Sequence, residues 1–387
     1  MTTFFEILFF LFSFLIINSF FIYPLVVFLV GQGKDDKGPN TGIEPTVSIL
    51  IAARNEEKVI DQRIENIASQ HYDFSKLEVL VGSDSSTDFT NQILEEKQKK
   101  HTWLKLFISE NRLGKAGILN ELIKQVKNEI LVFTDANTEF GEGALKNLVQ
   151  DFSRKEVGGV CGKLILTDTE NIRNQGVEET QYWQYETFIK RSEGKCGISL
   201  AANGGIFAIR KELFQNIPTD KAVTDDLFIS LSVVAQGCKF TYREDAIAYE
   251  STGKNLWSEY KRIVRFSATN FQTLANFKKL LINKNGFLSY AFFSHKVTRW
   301  FLPLLLIFIF ILSWFLSDGY WLIASIFLIQ LIFYFLALVG LLLSIIKVRI
   351  QIFSLPYFFV VSNIAVVEGF LKFMQKEHSV IWNSTER

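Results

Sequence analysis

The sequence predicts an α/β domain with a doubly wound, mostly parallel sheet, joined to transmembrane helices. Two observations lead to this prediction. Between residues 47 and 134, short β-rich runs alternate with helical stretches, and strand onsets recur about every 30 residues, the size of a βαβ unit. At both ends of the chain, uncharged apolar runs approach or exceed the length that crosses a bilayer.

The first apolar run extends from Ile7 to Val30 without a charged residue. No Lys or Arg precedes it and no small-residue cleavage site follows it, so we interpret it as an anchor rather than a signal peptide. Three further runs lie near the other end, and the last is the weakest because it contains Pro356 and Asn363. These runs are Trp300–Leu316, Tyr320–Ile346 and Ile350–Val367.

Basic residues near the ends of these runs predict that the chain from Gly31 to Arg299 is cytoplasmic. The residues that mark this side are Lys34, Lys37, His295, Lys296, Arg299, Lys347 and Arg349. If the last run crosses, Lys372, Lys376 and Arg387 lie outside, against this rule, so a re-entrant or interfacial arrangement stays open. The predicted segments are an anchor (1–30), a cytoplasmic domain (31–255), interfacial amphipathic helices (256–299), C-terminal transmembrane segments (300–371) and a tail (372–387). For residues 257–300, core packing is the alternative to an interfacial location.

Within the cytoplasmic domain, four strands are predicted, with a helix in each of the three intervals between them. The strands are Val47–Ala53, Leu77–Gly82, Leu104–Ser109 and Ile130–Thr134, and the helices are Val59–Ser69, Asp88–Lys99 and Lys115–Lys127. Because such sheets bind ligands beyond the carboxyl ends of their strands, the residues that follow each strand are the candidate site.

Acidic loops follow the first, second and fourth strands, at residues 52–57, 83–88 and 135–137. Asp and Ser cap many helices, as Asp88 is expected to do, but three such loops at one edge indicate function. Carboxylates there can bind a nucleotide base, ribose hydroxyls or a divalent cation. Residues 111–117 form a small-residue turn before a helix, where the helix N-terminus and Lys115 suit a phosphate, although the spacing is not that of a P-loop.

Composition excludes some classes of function. The formal net charge of +1 argues against a nucleic-acid partner. The three cysteines have no metal-site spacing and fit a reducing compartment.

An ordered series of motifs resembles the family 2 glycosyltransferases. The first half carries VSILIAARNEE, GSDSSTD, NRLGKAGILNE and FTDAN, and the second half carries AANGGIFAIR and VTDDLFIS, within roughly Pro45–Phe266. One anchor before the domain and several spans after it are similar to the processive synthases of poly-N-acetylglucosamine, hyaluronan, chitin and cellulose. The resemblance implies a GT-A-like fold.

The resemblance also implies roles for individual residues. Glu56 and Asp84 would contact the base and ribose, Ala53 would line the base site, and Lys115 would meet the diphosphate. Asp135 would bind the donor and, with Asn137, a Mg²⁺ or Mn²⁺ ion. In the T-E-D-like run, Asp226 would be the catalytic base, with Asp225 in place of Glu. Arg265 would stabilise the leaving diphosphate, and the acceptor site would include Gly204, Gly205 and Phe266.

Two departures from the family pattern bear on these roles. The second position of the D-x-D motif is Asn137, an amide that ligates a cation less strongly than a carboxylate does. In the Q-x-x-R-W motif of processive members, Arg262 and Phe266 replace Gln and Trp, while Arg265 matches. The first departure bears on metal dependence and the second on processivity.

The predicted function is an integral membrane, inverting glycosyltransferase, expected in a bacterial inner membrane. It would move a sugar from a nucleotide-diphosphate sugar to a saccharide or lipid-linked acceptor, in extracellular polysaccharide or cell-envelope glycan synthesis. One alternative is a non-processive transferase that adds a single sugar to a lipid carrier. Another is a polytopic transporter or receptor with a cytoplasmic binding domain, for which four spans are few and the acidic loops have no chemistry.

Overall fold

A computed structural model of the chain describes residues 2–34, 42, 44–167, 177–251, 256–346, 348 and 350–375. The chain divides into two compact units, one made of Met1–Val26 and Asn255–His378 and the other containing Val27–Lys254. The predicted domain boundaries after residues 30 and 255 stay predictions. Outside the described residues lie most of the predicted tail (372–387) and five residues used to assign orientation: Lys37, Lys347, Arg349, Lys376 and Arg387.

Helices and strands alternate through the second unit, as predicted. The strands are β1 (Val47–Ala53), β2 (Leu77–Asp84), β3 (Leu104–Ser109), β4 (Ile130–Phe133), β5 (Thr138–Phe140), β6 (Val157–Thr167), β7 (Phe207–Arg210) and β8 (Lys239–Ser251). The helices of the chain before residue 239, of which α1 belongs to the first unit, are α1 (Thr2–Ile17), α2 (Tyr23–Gly31), α3 (Ile60–Ala68), α4 (Thr90–Lys100), α5 (Gly114–Gln125), α6 (Ala144–Val149), α7 (Val177–Cys196) and α8 (Asp225–Ala235).

The strands form one eight-stranded sheet in the order β3-β2-β1-β4-β7-β6-β8-β5. β1 pairs in parallel with β2 and β4, β2 pairs in parallel with β3, and β6 pairs in parallel with β8. The pairs of β7 with β4 and β6, and of β5 with β8, are antiparallel. A mostly parallel sheet was the sequence prediction, and it is confirmed.

The core lies where the helices cover the parallel half of this sheet. Every residue of β2 is buried, and so are six of the seven residues of β1, as expected for strands covered on both faces. Helix α3 presents Ile60, Ile64 and Ile67 to the core at helical spacing. The carboxyl ends of β1, β2 and β4 consequently come to one edge, with Ala53 level with Ser83 in the register.

The first unit is helical. Its helices after α1 and the start of α2 are α9 (Leu256–Phe277), α10 (Gly286–Ala291), α11 (Thr298–Trp300), α12 (Leu302–Leu316), α13 (Trp321–Ile345) and α14 (Gln351–Gln375). Three described helical segments are long and apolar enough to cross a membrane: Thr3–Gly31, Trp321–Ile345 and Gln351–Gln375.

The apolar run Trp300–Leu316 lies at a bend between two helical segments. Helix α12 has 15 residues, about 22 Å of helix, which is short for a hydrocarbon core of about 30 Å. It meets the segment Gly286–Trp300 at a bend of 70°, and the two count as a fourth span only when taken together. Pro303 lies in the first turn of α12, where its missing N–H is tolerated, so the helix restarts there after the break.

Two π-helical turns meet in this unit, Asn18–Ile22 and Phe292–Val297. The side-chain amide of Asn18 donates to Ser294 Oγ at 2.9 Å, and Ser19 Oγ donates to the Ser294 carbonyl at 2.7 Å. Tyr290 donates its hydroxyl proton to Asn18 Oδ1 at 2.8 Å. Each wide turn thus brings polar groups of one apolar helix onto partners in the other.

A buried ion pair in the second unit provides a stability test of the fold. Asp151 is fully buried, 3.2 Å from Arg243 Nη1, and accepts a 2.6 Å hydrogen bond from Thr241 Oγ1. We expect Asp151→Asn to destabilise the unit by about 2 kcal/mol, because the buried carboxylate loses its charge-assisted contacts with Arg243 and Arg154, while Arg243 keeps Asp245 as a counter-charge. Thermal unfolding of the purified full chain measures this, with Glu156→Gln, which removes an exposed pair to Lys239, as the control. Equal midpoints for the two variants would contradict the expectation.

Candidate active site

Lys115 joins two acidic residues from different parts of the chain. It is the second residue of α5, and its Nζ lies 2.8 Å from Asp135 Oδ1, just beyond β4, and 2.9 Å from Asp225 Oδ2, at the start of α8. Burial alone would lower the pKa of Lys115, but the two carboxylates outweigh it and raise the pKa above its ordinary value. Lys115 is therefore a permanent cation between two carboxylates.

Asp226 is the third carboxylate at this edge. A Cβ atom on Gly204 would lie 3.3 Å from Asp226 Oδ2 and 3.8 Å from Asp135 Oδ2, so the absence of a side chain at residue 204 leaves space between the two acids. Burial, reinforced by the adjacent Asp225, raises the pKa of Asp226 to about 6, against the opposing effect of Lys115 and Lys190. The predicted base is therefore ionised at neutral pH and still basic enough to accept a proton.

Asp84 is buried beneath the turn that precedes α5. Its side chain is only 2% exposed, and its two oxygens accept hydrogen bonds from the N–H groups of Leu113 at 2.6 Å and Gly114 at 3.1 Å. Gly114 has φ +72°, a conformation that suits glycine at the start of α5. Asp84 thus fixes the turn that carries Lys115. Its predicted contact with base and ribose stays a prediction.

The loops after β1 and β2 hold each other through side-chain caps. Asn55 Oδ1 accepts from the Thr87 N–H at 2.9 Å, and the Glu56 N–H donates to Thr90 Oγ1 at 2.8 Å. Asp88 Oδ1 accepts from the Thr90 N–H at 3.0 Å, but α4 begins at Thr90 with Phe89 at its N-cap, so Asp88 lies one residue before the predicted cap position. Ala53, the last residue of β1, is buried beside them. The predicted donor residues Ala53 and Glu56 accordingly lie at the same sheet edge as Asp84.

Asp135 and Asn137, the residues predicted to bind a cation, both follow β4 closely. Asn137 Nδ2 donates to Glu250 Oε1 on β8 at 3.1 Å, which leaves the amide oxygen outside this bond. The part of the chain that the structure describes contains no group of three or more His, Cys, Asp or Glu side chains able to hold a metal ion. The oxygens that these two residues could offer a divalent cation are Asp135 Oδ2, near Gly204, and the Asn137 amide oxygen, and their role as ligands stays a prediction.

Arg265 and Phe266 lie in the first unit, on α9. The Arg265 guanidinium lies 5.3 Å from the Phe266 ring centroid, within the range of a cation–π contact. Their predicted roles toward the diphosphate and the acceptor stay predictions, as does the acceptor role of Gly204 and Gly205.

A buried arginine was missed from the sequence. Arg63, on α3, is 1% exposed, and its Nη2 donates to Thr134 Oγ1 at 2.9 Å. Thr134 Oγ1 in turn donates to the Gly205 carbonyl at 2.7 Å, and the guanidinium lies 4.2 Å from the Phe140 ring centroid. Burial lowers the pKa of Arg63 to about 9, while Asp135 and Glu139 oppose this. The signal was a lone cation among the buried isoleucines of the predicted helix.

Residues 48–217 match the family model "Glycosyl transferase family 2". This range includes β1 to β7, Lys115, Asp135 and the Gly204–Gly205 turn. The chain carries a glycosyl transferase family 2 domain. Asp225 and Asp226 of the candidate site lie just beyond the matched residues.

Curated relatives agree with this assignment. The domain is similar to poly-beta-1,6-N-acetyl-D-glucosamine synthase of Staphylococcus epidermidis, with 25% identity over 232 residues, 59% of this chain and 55% of that protein. Beta-monoglucosyldiacylglycerol synthase of Nostoc sp. is 36% identical over 138 residues, 35% of this chain and 30% of that protein. The chain thus spans about half, or less, of the length of these relatives.

A solved structure shares the fold. The mannosyltransferase PcManGT from Pyrobaculum calidifontis, in complex with GDP-Man and Mn²⁺, matches with a TM-score of 0.69 and 19% identity. The match covers 96% of this chain and 99% of that chain. The predicted GT-A-like fold, with its appended apolar helices, is confirmed.

The raised pKa of Asp226 predicts a pH-dependent stability of the family 2 domain. The native state binds a proton here more tightly than the unfolded chain does, so this group's contribution to stability is full below about pH 4 and is lost as pH rises through about 6. We expect the melting temperature of Asp226→Asn, relative to the native protein, to rise between pH 4.5 and 7.5. Melting curves of both proteins across this range check it. A constant difference in melting temperature would show that Asp226 has an ordinary pKa.

Proposed function

We propose that the protein is a membrane-bound inverting glycosyltransferase, which transfers a sugar from a nucleotide-diphosphate sugar to a saccharide or lipid-linked acceptor. The observation that carries the proposal is the single cluster of Lys115, Asp135, Asp225 and Asp226 at the carboxyl edge of the sheet. The family 2 domain and its relatives in polysaccharide and glycolipid synthesis support it.

Asp226 is assigned the role of general base. As the acceptor hydroxyl oxygen attacks the anomeric carbon, its proton passes to the Asp226 carboxylate, and the bond from that carbon to the diphosphate oxygen breaks. One displacement inverts the anomeric centre, so no covalent intermediate is required. A pKa of about 6 keeps Asp226 unprotonated at neutral pH and makes activity fall as pH drops below that value.

Lys115 is assigned the role of stabilising the leaving group. The departing nucleoside diphosphate gains negative charge, and a cation held ready in a partly buried site stabilises that charge. Arg265 is assigned a second contact with the diphosphate, as the family motif implies. A bound Mg²⁺ or Mn²⁺, held by Asp135 and Asn137, would supply further charge compensation for the diphosphate.

Membrane association is supported by three helices of sufficient length and hydropathy. We assign the family 2 domain to the cytoplasmic side, where nucleotide sugars are made, in agreement with the basic residues that flank the apolar runs. This membrane location favours an acceptor that is lipid-linked or is exported as a growing chain.

Transfer of a single sugar to a lipid carrier is the second candidate function. It is favoured by 36% identity to a glucosyldiacylglycerol synthase and by the replacement of Gln and Trp at Arg262 and Phe266. The lengths of products made from a labelled donor separate it from polymerisation, because a polymerase yields a ladder and a single transfer yields one species.

The role of Asp226 predicts loss of transfer without loss of donor binding. We expect Asp226→Asn to lower turnover by about two to four orders of magnitude, because a base acts in the transition state. Transfer from labelled UDP-glucose, UDP-N-acetylglucosamine and GDP-mannose in membranes measures turnover, and titration with UDP and GDP measures binding. Asp220→Asn, a nearby exposed substitution, is the control. A folded Asp226→Asn protein with native turnover would remove Asp226 from the mechanism.

The amide at residue 137 predicts that donor and cation bind together. With one carboxylate at the site, the metal requirement should fall as donor concentration rises, because the diphosphate supplies the remaining ligands. We expect Asn137→Asp to tighten metal binding by adding a formal charge, with activity retained. Activity against Mg²⁺ and Mn²⁺ concentration, at several fixed donor concentrations, tests both statements. Full activity in excess chelator would show that Asp135 and Asn137 serve the donor without a cation.

A further inference from the structure

Lys190 on α7 is a cation that contacts the turn beside the candidate base, and none of the roles above uses it. Its Nζ donates to Asn203 Oδ1. Asn203 is itself fixed, because its N–H donates to Cys161 Sγ at 3.1 Å and its Nδ2 donates to the Gly162 carbonyl at 2.7 Å. Since Gly204 follows directly and lies against Asp226, the Lys190 ammonium holds the turn that forms one wall of the site.

The charges around Asp226 give Lys190 a second effect. Burial and Asp225 oppose ionisation of Asp226, while Lys115 and Lys190 favour it. Lys115 already forms ion pairs with Asp135 and Asp225. Among the residues that the structure describes, Lys190 forms no ion pair, and its hydrogen bond goes to the neutral Asn203.

The remaining titratable groups near Asp226 do not replace this charge. Asp135, whose Oδ2 also lies near Gly204, is an acid and supplies no positive charge. Cys161 is fully buried, and burial raises the pKa of its thiol to about 11, so the thiol is neutral at physiological pH. Lys115 and Lys190 are therefore the cations that oppose three carboxylates.

Helix α7 is fixed in place within its unit. The Phe188 ring lies 5.5 Å from that of Phe28, near the end of α2, and a Cβ atom on Gly31 would lie 3.2 Å from Lys195 Cβ. The next residue after Lys190, Arg191, pairs instead with Glu244 at 3.2 Å, and both side chains are exposed. Two adjacent cations on one helix thus have different surroundings, one near the base and one at the surface.

We propose that Lys190 is a positioning residue of the active site, whose ammonium holds the Asn203–Gly204 turn against Asp226 and places a positive charge at the wall of the site that faces this carboxylate. This inference rests on the proposed function, since it needs Asp226 to act as the base. It assigns α7 a part in catalysis that no motif of the sequence indicates.

The test compares kcat/KM against pH for the full-length native protein and four variants, with whichever of UDP-glucose, UDP-N-acetylglucosamine and GDP-mannose the native protein uses. We expect Lys190→Met to move the acid limb of the profile upward by about one pH unit, since loss of a nearby opposite charge favours the protonated carboxyl group. Lys190→Gln should shift it similarly while keeping a donor for Asn203, and it serves if the Met variant does not fold. Lys190→Arg and the matched control Arg191→Met should keep the native acid limb.

The outcomes separate this inference from the proposed function. A uniform loss of activity in Lys190→Met and Lys190→Gln, with the acid limb unmoved, would leave Lys190 a merely structural residue and overturn the proposal. An equal shift in Arg191→Met would also overturn it, because the effect would then be one of net charge. If the native protein transfers no sugar, or Asp226→Asn keeps native turnover, the proposed function itself fails.

Discussion

The ion pairs of Lys115 with Asp135 and Asp225 are the interaction on which the rest of the site depends. Three carboxylates at one sheet edge repel each other, and a cation between them makes the arrangement stable. Lys115 reaches this position because α5 begins at Gly114, and α5 begins there because the buried Asp84 accepts the first N–H groups of the turn. A donor diphosphate would then approach a lysine whose place is already set by the fold.

The polar groups behind this edge form a second set of constraints. Arg63 binds Thr134, and Thr134 binds the Gly205 carbonyl, while Asn203, two residues earlier in the chain, is held by Cys161 and Gly162. The Gly204–Gly205 turn is consequently fixed from both sides, although neither glycine has a side chain to anchor it. This support keeps the space beside Asp226 and Asp135 open. Without it, the loop could relax and fill that space.

The bounds of β1 and β3 were predicted residue for residue, because apolar runs between turn residues give a strong local signal. The convergence of Lys115 with Asp135 was also predictable, since parallel strands deliver their ends to one edge. Arg63 and Lys190 were not predicted, because each acts through a partner elsewhere in the chain. The partner of Arg63 is Thr134, 71 residues later, and the partner of Lys190 is Asn203, 13 residues later. The bend before α12 was also not predicted. A hydropathy pattern shows how long an apolar run is, but it does not show that the helix breaks at Phe301, which depends on backbone conformation.

The two π-helical turns of the first unit have a consequence for how the chain is made. The Asn18 amide has its partner, Ser294, 276 residues later in the sequence. At a synthesis rate of about 5–20 residues per second, roughly 14–55 s separate the appearance of the two residues. In the proposed membrane location, the first helix would hold a polar amide in the bilayer for that time without its final partner, and its retention there would rely on its other residues. The phenylalanines that fill α1 meet this need, because their apolar burial requires no partner from the unfinished chain.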